Sequence, residues 1–383
     1  MPGIRGWAGA VVAATATASM TLGLDTATAV ADPPGTLISA EPRDDGFHGI
    51  PGGSVLRYWM ADSHGTPKQA SGALFVPGGP PPENGWPIVA FDHGTTGLGP
   101  GCGGKSDPST APYDAYVADE DNIMRSLVSQ GFAVVAPDYL GLGLYDNGPH
   151  PYLERQSEAT ATIDMVRAAR AAKPELSTTW AVMGLSQGGQ AALGTGHLQA
   201  TYAPDLDFRG TIAVDPESDV EKVLPIAGPG IPALPDTSGT LGFFSDILAG
   251  VRATRPEAEV DSYLTPFGRD LLDRIGTLCE PQIEATVNGV GIGQLLSRSL
   301  GSEPIRAAYT DYLTVPTTGY NRPILLLVNI TDATVPSPLH ATLAAQFAAN
   351  GVDFRTVTGT GTHVQLNPPM WAAINDFLRP IRR

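Results

Sequence analysis

A serine with glycines two positions away on either side, Gly184-Leu185-Ser186-Gln187-Gly188, is the clearest arrangement in this chain for covalent chemistry. It follows Thr179-Trp-Ala-Val-Met183, an apolar run that reads as a strand, and precedes small residues that read as a helix from about Gln187. A sharp strand-to-helix turn strains the serine backbone, and side chains two positions away would collide; glycine removes both collisions. The simpler reading makes Ser186 a helix N-cap among turn glycines. Serine is a weak nucleophile at its ordinary pKa and needs a base.

The chain has seven histidines. His363, in Thr360-Gly-Thr-His363, occupies a short loop between the strand-like Phe354-Arg-Thr-Val357 and a final amphipathic helix, which puts it beyond a sheet edge. His197 stands on the serine's own helix, about three turns down the axis, and cannot reach back. His340, near a helix start, reads as a surface or capping residue. The acid that orients the base is expected from a strand end between serine and histidine. Asp332, in Asn329-Ile-Thr-Asp332 after the apolar Ile324-Leu-Leu-Leu-Val328, is the preferred candidate. Asp215, after Phe208-Arg-Gly-Thr-Ile-Ala-Val214, is its rival, and an Asx-type turn is the plainer use of Asp332. A developing oxyanion needs two backbone donors. Gln187 N–H opens the helix after the serine. The second is expected from Asp92-His93-Gly94-Thr95-Thr96-Gly97, with the Gly94 and Thr95 amides both open and His93 bracing the loop.

Alternating strands and helices must position these groups. Val55–Met60 and Ala70–Val76 read as short opening strands; Pro87-Ile-Val-Ala-Phe91 and Phe132-Ala-Val-Val-Ala136 read as strands buried on both faces. Helical spacing is present over 117–130, 154–172, 337–350 and 369–378, with Leu339, Leu343 and Phe347 marking one face of the third. This order predicts an α/β fold with a mostly parallel sheet covered on both faces. Residues 217–318 break the rhythm: they hold the apolar Leu241–Leu248, helical stretches near 267–275, 281–297 and 302–309, and no core-like strand. So long an interval fits an inserted, mainly helical cap. The expected division is therefore 32–216 for the first part of the core, 217–318 for the cap and 319–383 for the rest.

Residues 1–31 read as an export signal: Arg5, an Ala/Thr/Val/Leu stretch, then Ala29-Val30-Ala31 before a cut. In an oxidising compartment Cys102 and Cys279 are expected to be bridged. They stand 177 residues apart, and closing so long a loop stabilises by at most about 5 kcal/mol. The 383 residues carry 23 basic and 39 acidic side chains, a formal charge of −16 with no basic stripe, which disfavours a nucleic-acid partner. No EF-hand loop and no compact His/Cys cluster is present, so no metal or other cofactor is expected.

The His93-Gly94 pair after a strand, Gly131-Phe-Ala-Val-Val-Ala-Pro-Asp-Tyr-Leu-Gly-Leu-Gly143, the Ser186 elbow, Asp332-x-x-Val-Pro336 and His363 together resemble the α/β-hydrolase superfamily. Within it they resemble the secreted lipases of the Candida lipase A-like group, over roughly residues 85 to 378. The resemblance implies an acyl-ester or lipid substrate, transient contact with a lipid surface, a cap forming much of an acyl tunnel, no cofactor, and a bridge from Cys102 to Cys279 in that cap. Thr95-Thr96 depart from the His-Gly-Gly-Gly form familiar in lipases. A lipase is the expected activity; a short-chain carboxylesterase, an acyltransferase and a peptidase are the alternatives that the same nucleophile could serve. The Phe243-Phe244-Ile247-Leu248 patch favours the lipase, its plainer use being packing within the cap.

Overall fold

The computed structural model describes residues 1–3, 31–43, 47–50, 52–232 and 238–382; the expected export signal lies almost wholly outside them. Residues Asp32–Arg383 form one compact unit. Its sheet is built from β1 (Leu37–Arg43), β2 (Gly53–Ala61), β3 (Pro67–Phe75), β4 (Trp86–Asp92), β5 (Ala133–Pro137), β6 (Leu176–Leu185), β7 (Asp207–Val214), β8 (Ile324–Asn329) and β9 (Phe354–Gly359). The spatial order is β1-β2-β3-β5-β4-β6-β7-β8-β9. The first three strands run antiparallel, and β3 pairs antiparallel with β5. From β5 through β9 every pairing is parallel.

The central strands β4, β5, β6 and β8 are apolar and buried along most of their length because both sheet faces are covered. On one face lie α1 (Ala115–Ser129) and, from the chain's end, a helix at Pro368–Leu378; Ile123, Met124 and Leu127 of the first and Met370 and Ile374 of the last pack on Val89, Phe91 and Met183. On the other lie α2 (Arg155–Ala172) and α3 (Gln187–Tyr202), where Ile163, Val166 and Ala191 meet Ile88, Val135 and Val182. The helix at Ser337–Ala349 joins that face through Leu343 and Phe347 against Ile324 and Leu326.

Between β7 and β8 the chain forms α4 (Val220–Val223), α5 (Ser238–Thr254), α6 (Pro266–Ile275), α7 (Glu280–Val287), α8 (Ile292–Leu295) and α9 (Ile305–Leu313). These helices share an apolar cluster of their own, with Leu241, Phe244, Leu248, Leu271, Ile283 and Tyr309 buried in it. The helices at 337–349 and 368–378 are then α10 and α11. The single helix expected over 281–297 is two: Asn288 leaves the helix, and Gly289, at φ +75°, turns the chain before α8. Among the described residues no helix is long and apolar enough to cross a membrane.

The parallel register sets the site. Asp92 is level with Gly184, Leu185 with Val214, Val214 with Leu327, and Asn329 with Gly359. The loops leaving β4, β6, β7, β8 and β9 therefore all emerge at one edge, the carboxyl edge of the parallel strands.

Candidate active site

Ser186 stands between β6 and α3 at φ +56°, ψ −121°, a backbone conformation that L-residues rarely adopt. The turn is as tight as its glycines imply. A Cβ on Gly184 would lie 1.9 Å from the Gly188 carbonyl oxygen, and one on Gly188 would lie 2.0 Å from that of Asp92.

His363 follows β9, as expected from the sequence. Its Nε2 lies 2.8 Å from Ser186 Oγ and its Nδ1 lies 2.6 Å from Asp332 Oδ2. Asp332 follows β8 in a turn whose backbone grips the other carboxylate oxygen: Thr334 N–H and Val335 N–H donate to Oδ1 at 2.8 and 3.2 Å. The Asx-type turn and the contact with histidine are thus one arrangement, with each oxygen serving a different partner. Burial alone would lower the imidazole's pKa, yet the hydrogen bond and charge of Asp332, reinforced by Glu217 and Asp215, hold it above the ordinary value. Glu217 lies just past β7, with its N–H on the Ser186 carbonyl; burial pushes its carboxyl up to about 7.

Asp215 is not hydrogen-bonded to His363. It accepts from Asn329 N–H, Asn329 Nδ2 and Val364 N–H, each at 2.7 Å, and so ties the end of β7 to the end of β8 and to the residue after His363. His340 is a correction: it is fully buried, with Nδ1 4.0 Å from Asp215 Oδ1. It lies three and seven residues before Leu343 and Phe347, the face that α10 turns inward.

Of the two amides left open in the loop after β4, Gly94 N–H is spent: it donates to Glu120 Oε1 at 2.8 Å. Thr95, the other of the two, lines the pocket that holds Ser186 and His363. His93 braces this loop, its ring held against Gly94 O at 2.7 Å; burial and the charge of Lys105 push its pKa down to about 3. Gln187 N–H opens α3, where the first-turn donors have no partner within the helix. Its side-chain amide donates to Glu158 Oε1 and to His150 Nε2, both at 2.7 Å, which pins the residue. His150, Glu158 and Glu120 were not singled out in the sequence, since nothing local marks a buried histidine or carboxyl on a distant element.

Cys102 and Cys279 are bridged. The bridge sits where the loop after β4 meets the insertion: Leu98 N–H donates to Leu278 O and Glu280 N–H to Thr96 O, each at 2.9 Å. Above Ser186 is a pocket of about 210 Å³, lined by Thr95, Tyr116, Phe243 and Thr334 among others. A second cavity of about 380 Å³ lies between α4, α5 and the turn before α10. It shares Phe243 and Thr334 with the first, and Leu224, Ala227, Phe244 and Ile247 make its wall apolar.

Residues 111–287 match the family model of the secretory lipases. No curated protein matches the chain in sequence. Among solved structures, the closed state of Candida antarctica lipase A superposes with a TM-score of 0.71 at 18% identity, over 90% of this chain and 82% of that one. A ligand-bound form of LipA, a rice cell wall degrading esterase from Xanthomonas oryzae, gives 0.72 at 21% identity, over 92% of this chain and 100% of that one. The nine-stranded sheet is the α/β-hydrolase fold, and with residues 111–287, a little under half of the chain, similar to the secretory lipases, the chain is a carboxylic ester hydrolase.

Proposed function

We propose that the protein is a secreted lipase that cleaves acyl esters through an acyl-enzyme on Ser186. The observation that carries this reading is the unbroken hydrogen-bonded line from Asp332 through His363 to Ser186. In this mechanism Ser186 Oγ attacks the ester carbonyl as His363 Nε2 takes its proton. The new imidazolium faces Asp332 and, once ionised, the carboxylate of Glu217. The negative oxygen of the tetrahedral intermediate rests on Gln187 N–H and Thr95 N–H. Collapse breaks the bond to the alcohol, which leaves with the proton from His363. Water, deprotonated by the same nitrogen, then releases the acid. A fluorophosphonate should label the wild-type chain at Ser186 alone, and Ser186→Ala should abolish both labelling and esterase activity. Activity surviving in the alanine variant would remove the serine from the reaction.

The apolar cavity supports a lipase over a short-chain esterase, because it lies beside the Ser186 pocket, with Phe243 and Thr334 lining both. In this reading the helices of 217–318 act as a cap around the acyl chain, and the cavity takes that chain's distal carbons. Filling it with Ala227→Phe should lower kcat/KM for p-nitrophenyl palmitate by about tenfold and leave p-nitrophenyl acetate within about twofold. Equal losses on both esters would put the acyl chain elsewhere. Export is supported by the matched family and by the disulfide, a bond that persists in oxidising compartments.

A further inference from the structure

We propose that the buried Glu120, seated over Lys105, is a positioning residue for the second oxyanion donor, its side-chain oxygen fixing the Gly94 peptide so that Thr95 N–H faces the reacting carbonyl. The inference rests on the acyl-enzyme reading above and names a part of the machinery that the triad does not include.

Glu120 and Lys105 are 0% and 1% exposed, and Lys105 Nζ lies 2.9 Å from Glu120 Oε2. Taking two charges out of water is costly, and such pairs can often be replaced by apolar residues without loss of stability. This pair has a use beyond stability, because the other oxygen, Oε1, accepts Gly94 N–H. The carboxylate thereby holds one side of Gly94, while His93 Nδ1 holds its carbonyl on the other. That carbonyl belongs to the same planar trans peptide as Thr95 N–H, so holding the oxygen fixes the N–H in the opposite direction. Glycine is required at the centre of this clamp, since a Cβ at position 94 would fall 1.7 Å from the Tyr116 hydroxyl. Lys105 is itself anchored: its N–H donates to Asp138 Oδ1 at 2.7 Å, three residues after the bridged Cys102. The line therefore runs from the disulfide segment through Lys105 and Glu120 to the oxyanion loop.

Two double variants separate this role from a structural one. Lys105→Met with Glu120→Gln removes both charges and keeps a carbonyl oxygen for Gly94 N–H. Lys105→Met with Glu120→Leu removes both charges and the acceptor. The first should keep kcat for a p-nitrophenyl ester within about threefold of wild type. The second should lose roughly 10²-fold in kcat, with KM little changed and a parallel fall in the rate of fluorophosphonate labelling. If the leucine variant does not melt cooperatively, Lys105→Met with Glu120→Asn, whose shorter side chain withdraws the oxygen, takes its place with the same expectation. Equal kcat in the two double variants, beside a wild-type chain labelled at Ser186, would overturn the clamp alone. A wild-type chain that is not labelled at Ser186 would sink the acyl-enzyme reading and the clamp with it.

Discussion

Asp332→Asn should lower kcat by about 10⁴-fold with KM and melting temperature nearly unchanged, the loss seen when the orienting acid of other triads becomes an amide. The reason lies in how its two oxygens are used. Oδ1 accepts from Thr334 N–H and Val335 N–H, and an asparagine would keep its carbonyl oxygen there because only an acceptor fits. Its amide nitrogen would then face His363 Nδ1, now 2.6 Å from a carboxylate oxygen. Two donors cannot meet, so the imidazole would move its proton to Nε2, and Nε2 could no longer take one from Ser186. Asp215→Asn should behave differently. That carboxylate receives three backbone and amide donors and no hydrogen bond from His363, so an amide there leaves a donor unmatched and loosens the junction of β7, β8 and the His363 loop. Its main effect should be a lower melting temperature, with a kcat loss at least about tenfold smaller than that of Asp332→Asn. Kinetics and melts on both variants check this, and the reverse ranking in kcat would make Asp215 the acid.

His363 follows the polar, partly exposed β9 and was placed by its loop before the last helix. Ser186 and Asp332 could be placed because each follows an apolar run that reads as a buried strand, and loops after parallel strands share an edge. The elements that sequence reading missed lacked that pattern. Strand β1 is polar and largely exposed at the sheet's margin, with Pro42 inside it, so it offers neither an apolar run nor a clean alternation. Helix α5 contains the apolar Leu241–Leu248, but its wide apolar surface packs among other helices and blurs the one-sided pattern that marks a surface helix. His340 looked exposed because a helix start is usually a rim; its spacing to Leu343 and Phe347 was the better guide. Glu120 sits in Ala-Asp-Glu-Asp and reads as one more solvated acid. No local signal tells that Lys105 waits beneath it, because the pairing is made by the packing of α1 against the disulfide segment. The choice between Gly94 and Thr95 was closed to sequence for a related reason: the direction of an amide is decided by its distant partners.

Stability should fall as pH rises from 6.5 to 8.5, seen as a melting temperature several degrees lower at the upper end when melts are run at one scan rate. Burial pushes Asp92 up to about 8 and Glu217 up to about 7. A carboxyl whose pKa is raised by folding binds its proton more tightly in the native state. Its contribution is therefore complete below the unfolded value and is lost as pH climbs through the folded one, at about 1.4 kcal/mol per pH unit for each group. The buried histidines act in the opposite sense but in a different window. His93 and His150, pushed down to about 3 chiefly by burial, cost stability only as pH falls below their ordinary value, and above 6.5 they are neutral in both states. Asp92 shares this slope with Glu158 and Asp246, which burial also raises well above the ordinary value; the Thr162 Oγ1 hydrogen bond to Asp92 Oδ1, at 2.7 Å, works against the rise. Asp92→Asn, which mimics the protonated acid, should make the fall above pH 6.5 shallower and raise the melting temperature at pH 8.5 relative to wild type. A wild-type curve that is level or rising over this range, or an unchanged slope in Asp92→Asn, would contradict the assignment. The same carboxyls set a limit on function. His363 must be neutral to accept the serine proton, and its pKa is held above the ordinary histidine value, so turnover gains with pH while the buried carboxyls draw stability down. The working range is the interval in which the imidazole has lost its proton and Asp92 has kept its own.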